Sequence, residues 1–107
     1  MEWISEHYNL IVTDSADADI DSYIDTIIYA FDAPLTAKKH YDALYKLFGE
    51  IQKHPLAYAI RYTASLQIYG INVRRVNFKK MAIIYTVNEN TVYIHRVMPG
   101  SMITGLN

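Results

Sequence analysis

Residues 71–98 read Ile71-Asn72-Val73-Arg74-Arg75-Val76-Asn77-Phe78-Lys79-Lys80-Met81-Ala82-Ile83-Ile84-Tyr85-Thr86-Val87-Asn88-Glu89-Asn90-Thr91-Val92-Tyr93-Ile94-His95-Arg96-Val97-Met98. Three runs of strand-forming residues, 71–78, 81–87 and 91–98, are parted by the short connectors Lys79-Lys80 and Asn88-Glu89-Asn90. Connectors that short predict an antiparallel meander. Met81-Ala82-Ile83-Ile84-Tyr85 is apolar on both parities, as expected of the central strand. Successive side chains point to opposite faces, so Val73/Arg75 and Arg74/Val76 compete for the covered face. A bulge near Arg74-Arg75 would re-aim either arginine.

Upstream, Tyr8-Asn9-Leu10-Ile11-Val12-Thr13 reads as a short first strand. Asp14 and Ser15 then offer N-cap oxygens, and Asp17, Asp19 and Asp21 suit the positive end of a helix dipole. Ala16, Ile20, Tyr23, Ile24, Ile27, Ile28 and Phe31 recur at intervals of three and four, a helix with one apolar stripe. Asp32-Ala33-Pro34 breaks it. A second helix, capped by Asp32 or Thr36, carries Ala37, Tyr41, Leu44, Tyr45, Phe48 and Ile51 and stops at His54-Pro55. Residues 55–70 have no clear period and read as a loop with room for a helical turn, and the tail after Pro99, with Gly100 and Gly105, reads as loose. The order β-α-α-β-β-β predicts a two-layer α+β domain. In it a helical hairpin packs on a mainly antiparallel four-stranded sheet.

At 107 residues the chain is expected to be one domain over 1–107, and a complete protein since it starts with Met1. Its formal charge of −1 conceals a division. Residues 1–50 hold ten acids against Lys38, Lys39 and Lys46, whereas residues 51–107 hold Glu89 against seven bases. Two opposed fields of that kind can steer a charged partner onto one face. With no cysteine, disulfides, thiolate metal sites and a Cys nucleophile are excluded. Met1 to Glu6 lacks the features of a secretory signal, and the apolar run Met81–Val87 is far too short for a membrane span. A soluble, cytoplasmic protein is expected. The ten tyrosines serve either an interface or the rim of the core.

No nucleophile elbow, phosphate-cradling glycine loop or metal-spaced histidine pair occurs. His7, His40, His54 and His95 are dispersed and read as surface or helix-end residues rather than a metal set. Asp17, Asp19, Asp21 and Asp25 lack the glycine and terminal Glu of a calcium loop and read as a solvated helix face. No cofactor or metal is called for. The basic pairs are more suggestive, because a meander brings Arg74-Arg75, Lys79-Lys80 and His95-Arg96 onto neighbouring strands about 5 Å apart. Such a patch suits phosphate, and His95 or Tyr93 could serve as acid or base in metal-free RNA cleavage. Charges guarding strand ends, or a surface for a partner protein, are the other readings of the same residues.

The chain resembles the RelE/ParE superfamily of bacterial type II toxin–antitoxin toxins over about residues 8–100. The likeness lies in Tyr8 to Ala16 and then in Ile71-Asn72-Val73-Arg74-Arg75-Val76, Met81-Ala82-Ile83-Ile84-Tyr85-Thr86-Val87 and Val92-Tyr93-Ile94-His95-Arg96-Val97-Met98. The resemblance implies a toxin, of the plasmid-stabilisation kind, neutralised by a cognate antitoxin whose disordered segment folds across it. Tyr58, Tyr62, Tyr69 and Arg61 are then candidate anchors for that segment. No Arg, Lys, His or Tyr follows Arg96, where the family usually continues with a basic or His-containing stretch. That departure places the chain nearer the ParE-like, non-nucleolytic branch, whose target is DNA gyrase. The alternative is a RelE-like nuclease cutting messenger RNA in the ribosome. Arg74 or Arg75 and Arg96 would then hold phosphate, Lys79 and Lys80 would add charge, and His95 would be acid or base. A member that binds an antitoxin but has lost its toxicity is a third reading.

Overall fold

The computed structural model describes residues 8–103. The readings of Met1 to Glu6, His7 and Gly105 therefore lie outside the described residues. Strand β1 (Asn9–Val12) leads into helix α1 (Asp14–Asp25), and after a wide turn helix α2 (Pro34–Lys53) runs back. Strands β2 (Arg74–Phe78), β3 (Met81–Asn88) and β4 (Thr91–Pro99) form the meander. The sheet order is β1-β4-β3-β2, with β1 parallel to β4 and the other pairs antiparallel. The expected α+β architecture is present, on a mixed sheet.

Local chemistry explains where the elements depart from expectation. The cap of α1 is Thr13, the last residue before the helix, rather than Asp14 or Ser15. Its hydroxyl accepts from the Ala16 N–H at 3.2 Å and donates to the His95 carbonyl at 3.1 Å, tying the helix start to β4. The α-helix ends at Asp25 and widens into a π-helical turn over Thr26–Ala30. There Thr26, Ile27 and Ile28 crowd three β-branched side chains together, and the Thr26 hydroxyl back-bonds to the Ser22 carbonyl at 2.8 Å. Asp32 does not cap α2. It sits in the left-handed region at φ 50° and closes the hairpin, while Pro34 occupies the first turn of α2, where its missing N–H costs nothing. Thr36 likewise caps nothing, because the N-cap position is Ala33. Strand β2 begins at Arg74 rather than Ile71, because Asn72 at φ 58° interrupts extended backbone. Two short 3₁₀ turns, Pro55–Ala57 and Ala64–Tyr69, fill the stretch expected to be a loop.

The main core lies between the helices and one sheet face. Ala16 and Ile20 of α1 and Leu44, Phe48 and Ile51 of α2 meet Val76, Phe78, Ile83, Tyr85, Val92, Ile94 and Val97. Tyr85 is wholly buried, and burial drives its phenol pKa well above the ordinary range, so the hydroxyl stays protonated. It donates to the Pro55 carbonyl at 2.5 Å and pins the chain as it leaves α2. Tyr85→Phe leaves that carbonyl without its donor and is expected to cost about 1–3 kcal/mol, read as a fall in Tm of roughly 4–8 °C per kcal/mol. An unchanged Tm would mean that the Pro55 carbonyl finds another donor. No helix among the described residues is long and apolar enough to cross a membrane.

Candidate functional site

Both sheet faces are covered in part. Opposite the helices a second apolar cluster of Leu66, Val73, Ala82 and Ile84 is packed by Tyr69, Met98 and Ile103. Val73 and Val76 are thus both buried, on opposite faces. Their alternation sends Arg74 to the helix side and Arg75 to the other.

The register irregularity falls in β4 rather than near Arg74-Arg75. Ile84 pairs with Arg96 and Tyr85 with Ile94, which leaves His95 as the extra residue of a bulge. The bulge lets Ile94 and Val97 both face the main core, three residues apart, and turns His95 and Arg96 out of it. His95 is no surface histidine. Its Nε2 lies 2.8 Å from the Thr86 hydroxyl, and its ring centroid is 5.6 Å from that of Tyr69 and 6.2 Å from that of Tyr93. These groups, with Gly70, Asn72 and Asn88, line a cleft of about 520 Å³. Gly70 at φ 137° and Asn72 at φ 58° carry the chain around its mouth.

Burial lowers the His95 pKa, so its imidazole is neutral at pH 7. The unfolded chain takes up this proton near pH 6.5, whereas the native chain does so only at lower pH. The unfolded state then binds more protons, and stability falls as pH drops below about 6.5. His40 has the same sign, lowered by burial and by Lys79, and its Nδ1 lies 2.6 Å from the Tyr23 hydroxyl. His95→Asn should therefore flatten, without abolishing, the decline of Tm between about pH 7 and pH 5. Wild-type steepness in that variant would show that His95 titrates alike in both states.

The basic residues do not converge. Arg74 donates to the Leu56 and Tyr58 carbonyls on the helix side. Arg75 Nε donates to Asn77 Oδ1 at 3.0 Å, and its guanidinium packs so close to Gly100 that a Cβ there would come within 2.9 Å. Lys79, at φ 56° in the β2–β3 turn, places its ammonium 5.7 Å from the Phe78 ring centre; Lys80 sits beside it, near His40 rather than His95. Arg96 shares a cross-strand row with Ile84 and Arg75, the two arginines being about 10 Å apart by strand spacing.

Arg96 is engaged by a residue that the sequence reading left in solvent. Asp19 accepts from Arg96 Nε at 2.7 Å and Nη2 at 3.0 Å, and from the Val97 N–H at 2.9 Å. Beyond Ile94 strand β1 no longer pairs with β4, so the Asp19 carboxylate takes the place of the next strand for Val97. Hydrogen bonding to Asp19, with help from Tyr69 and against the effect of burial, holds the Arg96 pKa above its ordinary range. The signal lay in the spacing: position 19 is three residues after Ala16 and four before Tyr23, on the apolar stripe.

The candidate anchors are likewise divided. Tyr58 packs edge-on against Tyr85 at 6.4 Å on the helix side, and Tyr69 lines the cleft on the other. Tyr62 is 70% exposed, and Arg61 donates its backbone N–H at 2.7 Å to the carbonyl of Val73, the residue before β2. Of the ten tyrosines only Tyr29, Tyr41 and Tyr62 are exposed, so most of them serve the rims of the two cores. A cleavage site needs cations and an acid–base pair around one phosphate. Here the cleft offers neutral, aromatic and amide groups, while the cations are held elsewhere.

A family described as ParE toxin of type II toxin-antitoxin system, parDE, matches residues 10–104. No curated protein matches the sequence. Among solved structures, a chain of the "Chromosomal ParDE TA system from P. aeruginosa" superposes with a TM-score of 0.72 at 20% identity, over 89% of this chain and 98% of that one. At that identity the likeness is one of fold.

Proposed function

The chain belongs to the ParE toxin family of type II toxin–antitoxin systems, and on that premise we propose that it arrests growth without cutting RNA, by acting on DNA gyrase, until a cognate antitoxin binds it. The observation that carries the non-nucleolytic reading is the dispersal of Arg74, Arg75, Arg96, Lys79 and Lys80. Arg74 is spent on backbone carbonyls and Arg96 on Asp19, and neither is left free for a phosphate. The neutral His95 bonded to Thr86 lacks the second ring proton with which an imidazolium acts as general acid at pH 7, and no Lys or Arg lines the cleft beside it to hold a phosphate. The acidic helix α1, with five Asp and no base, and the basic sheet give the antitoxin two fields to read, so its affinity falls as salt rises.

The test is gyrase supercoiling in vitro with the purified chain. Inhibition that the co-purified antitoxin reverses is expected, with added messenger RNA left whole. No inhibition at stoichiometric excess removes gyrase as the target.

A further inference from the structure

We propose that the cleft between Tyr69, Tyr93 and His95 receives an aromatic side chain from an extended segment of the protein partner. The inference rests on the reading of the chain as one half of a protein pair, and it names what that partner must carry.

The lining favours a flat ring. Three rings border the cleft, with Tyr93 and His95 stacked at an interplanar angle of 24° and Tyr69 tilted at 30° to the same imidazole. Its volume of about 520 Å³ lies within the range of sites that enclose a ligand group. The Asn72 and Asn88 amides and the Tyr93 hydroxyl make no hydrogen bond among the described residues, so they are open to the polar edge of an indole or phenol.

The surroundings favour a peptide over a nucleotide. Ile71, on the lining, is 82% exposed, and Ile68, one residue before Tyr69, is 79% exposed. Both are aliphatic contacts for residues flanking the inserted ring. The cation nearest the rings, Arg96, is neutralised by Asp19, and the next residue beyond Asn88 is the acid Glu89. A phosphate entering with a base would therefore find no free counter-charge, whereas an uncharged ring on a peptide needs none.

The probe is the blocked tripeptide acetyl-Ser-Trp-Ser-amide, titrated into the full chain and followed by amide and aromatic NMR shifts. Acetyl-Ser-Leu-Ser-amide and adenosine 5′-monophosphate serve as comparisons. Saturable shifts at Thr86, Tyr93 and His95 are expected with the Trp peptide, about tenfold tighter than with either comparison. Equal affinity for the Leu peptide overturns ring recognition, and tighter binding of the nucleotide overturns the peptide assignment. The absence of saturable binding by the Trp peptide overturns the site altogether. Tyr93→Ala should weaken binding by at least about tenfold. Should that variant fail to fold, Tyr93→Leu keeps an apolar side chain on the strand without the ring, and retained affinity there overturns the proposal. Growth on induction of the chain reports on the toxin reading independently, so either inference can fail while the other stands.

Discussion

Asp19→Ala is expected to destabilise the fold by about 3 kcal/mol and to lower Tm by roughly 15 °C. The carboxylate takes three hydrogen bonds at 2.7–3.0 Å, two from Arg96 and one from the Val97 backbone. Its removal leaves a guanidinium without its counter-ion and a strand-edge N–H without an acceptor. The figure sits near the lower end for a broken buried pair, because the Arg96 side chain is 33% exposed and water can take up part of the loss, while Asp19 is 17% exposed. Arg96→Ala should cost less, since Asp19 keeps Val97. The double variant should then cost less than the sum of the two singles, the mark of a coupled pair. A loss under about 1 kcal/mol for Asp19→Ala would return Asp19 to the solvated helix face and free Arg96 for other work.

Phe48→Ala is expected to cost about 3–5 kcal/mol, a large part of the 5–15 kcal/mol that holds a domain of this size together. Phe48 is 1% exposed, lies in the α2 seam against the sheet, and has its ring centre 4.9 Å from that of Tyr45. Phe48→Leu keeps most of the volume and should stay within about 1.5 kcal/mol of the wild type. Urea unfolding of the three proteins checks both figures. An Ala variant within about 2 kcal/mol of the wild type would show that α2 rides loosely on the sheet.

The meander was legible because its three runs and two short connectors leave few alternatives, and the apolar parity of Met81 to Tyr85 marked the central strand. The parallel seat of β1 beside β4 was not, since nothing local links Asn9 to Thr91 across 82 residues of sequence. The bulge could have been seen: Val92 and Ile94 alternate, and the next core residue is Val97, one place late. The arginines were harder. Burial usually tells which parity faces the core, but Val73 and Val76 are both buried because both sheet faces are covered. Neighbouring strands do not by themselves make neighbouring cations, and the separate partners of Arg74, Arg75 and Arg96 are visible only in the tertiary structure. Asp19 looks like one of a row of solvated acids, but its spacing from Ala16 and Tyr23 places it on the buried stripe.

The most direct test of a toxin that leaves RNA whole is to map messenger-RNA 5′ ends in a bacterial host minutes after the chain alone is induced. Arrested growth with intact transcripts is the expected result. New ends inside translated reading frames would contradict the account and make the chain a ribosome-dependent nuclease, and unchecked growth would contradict its toxicity.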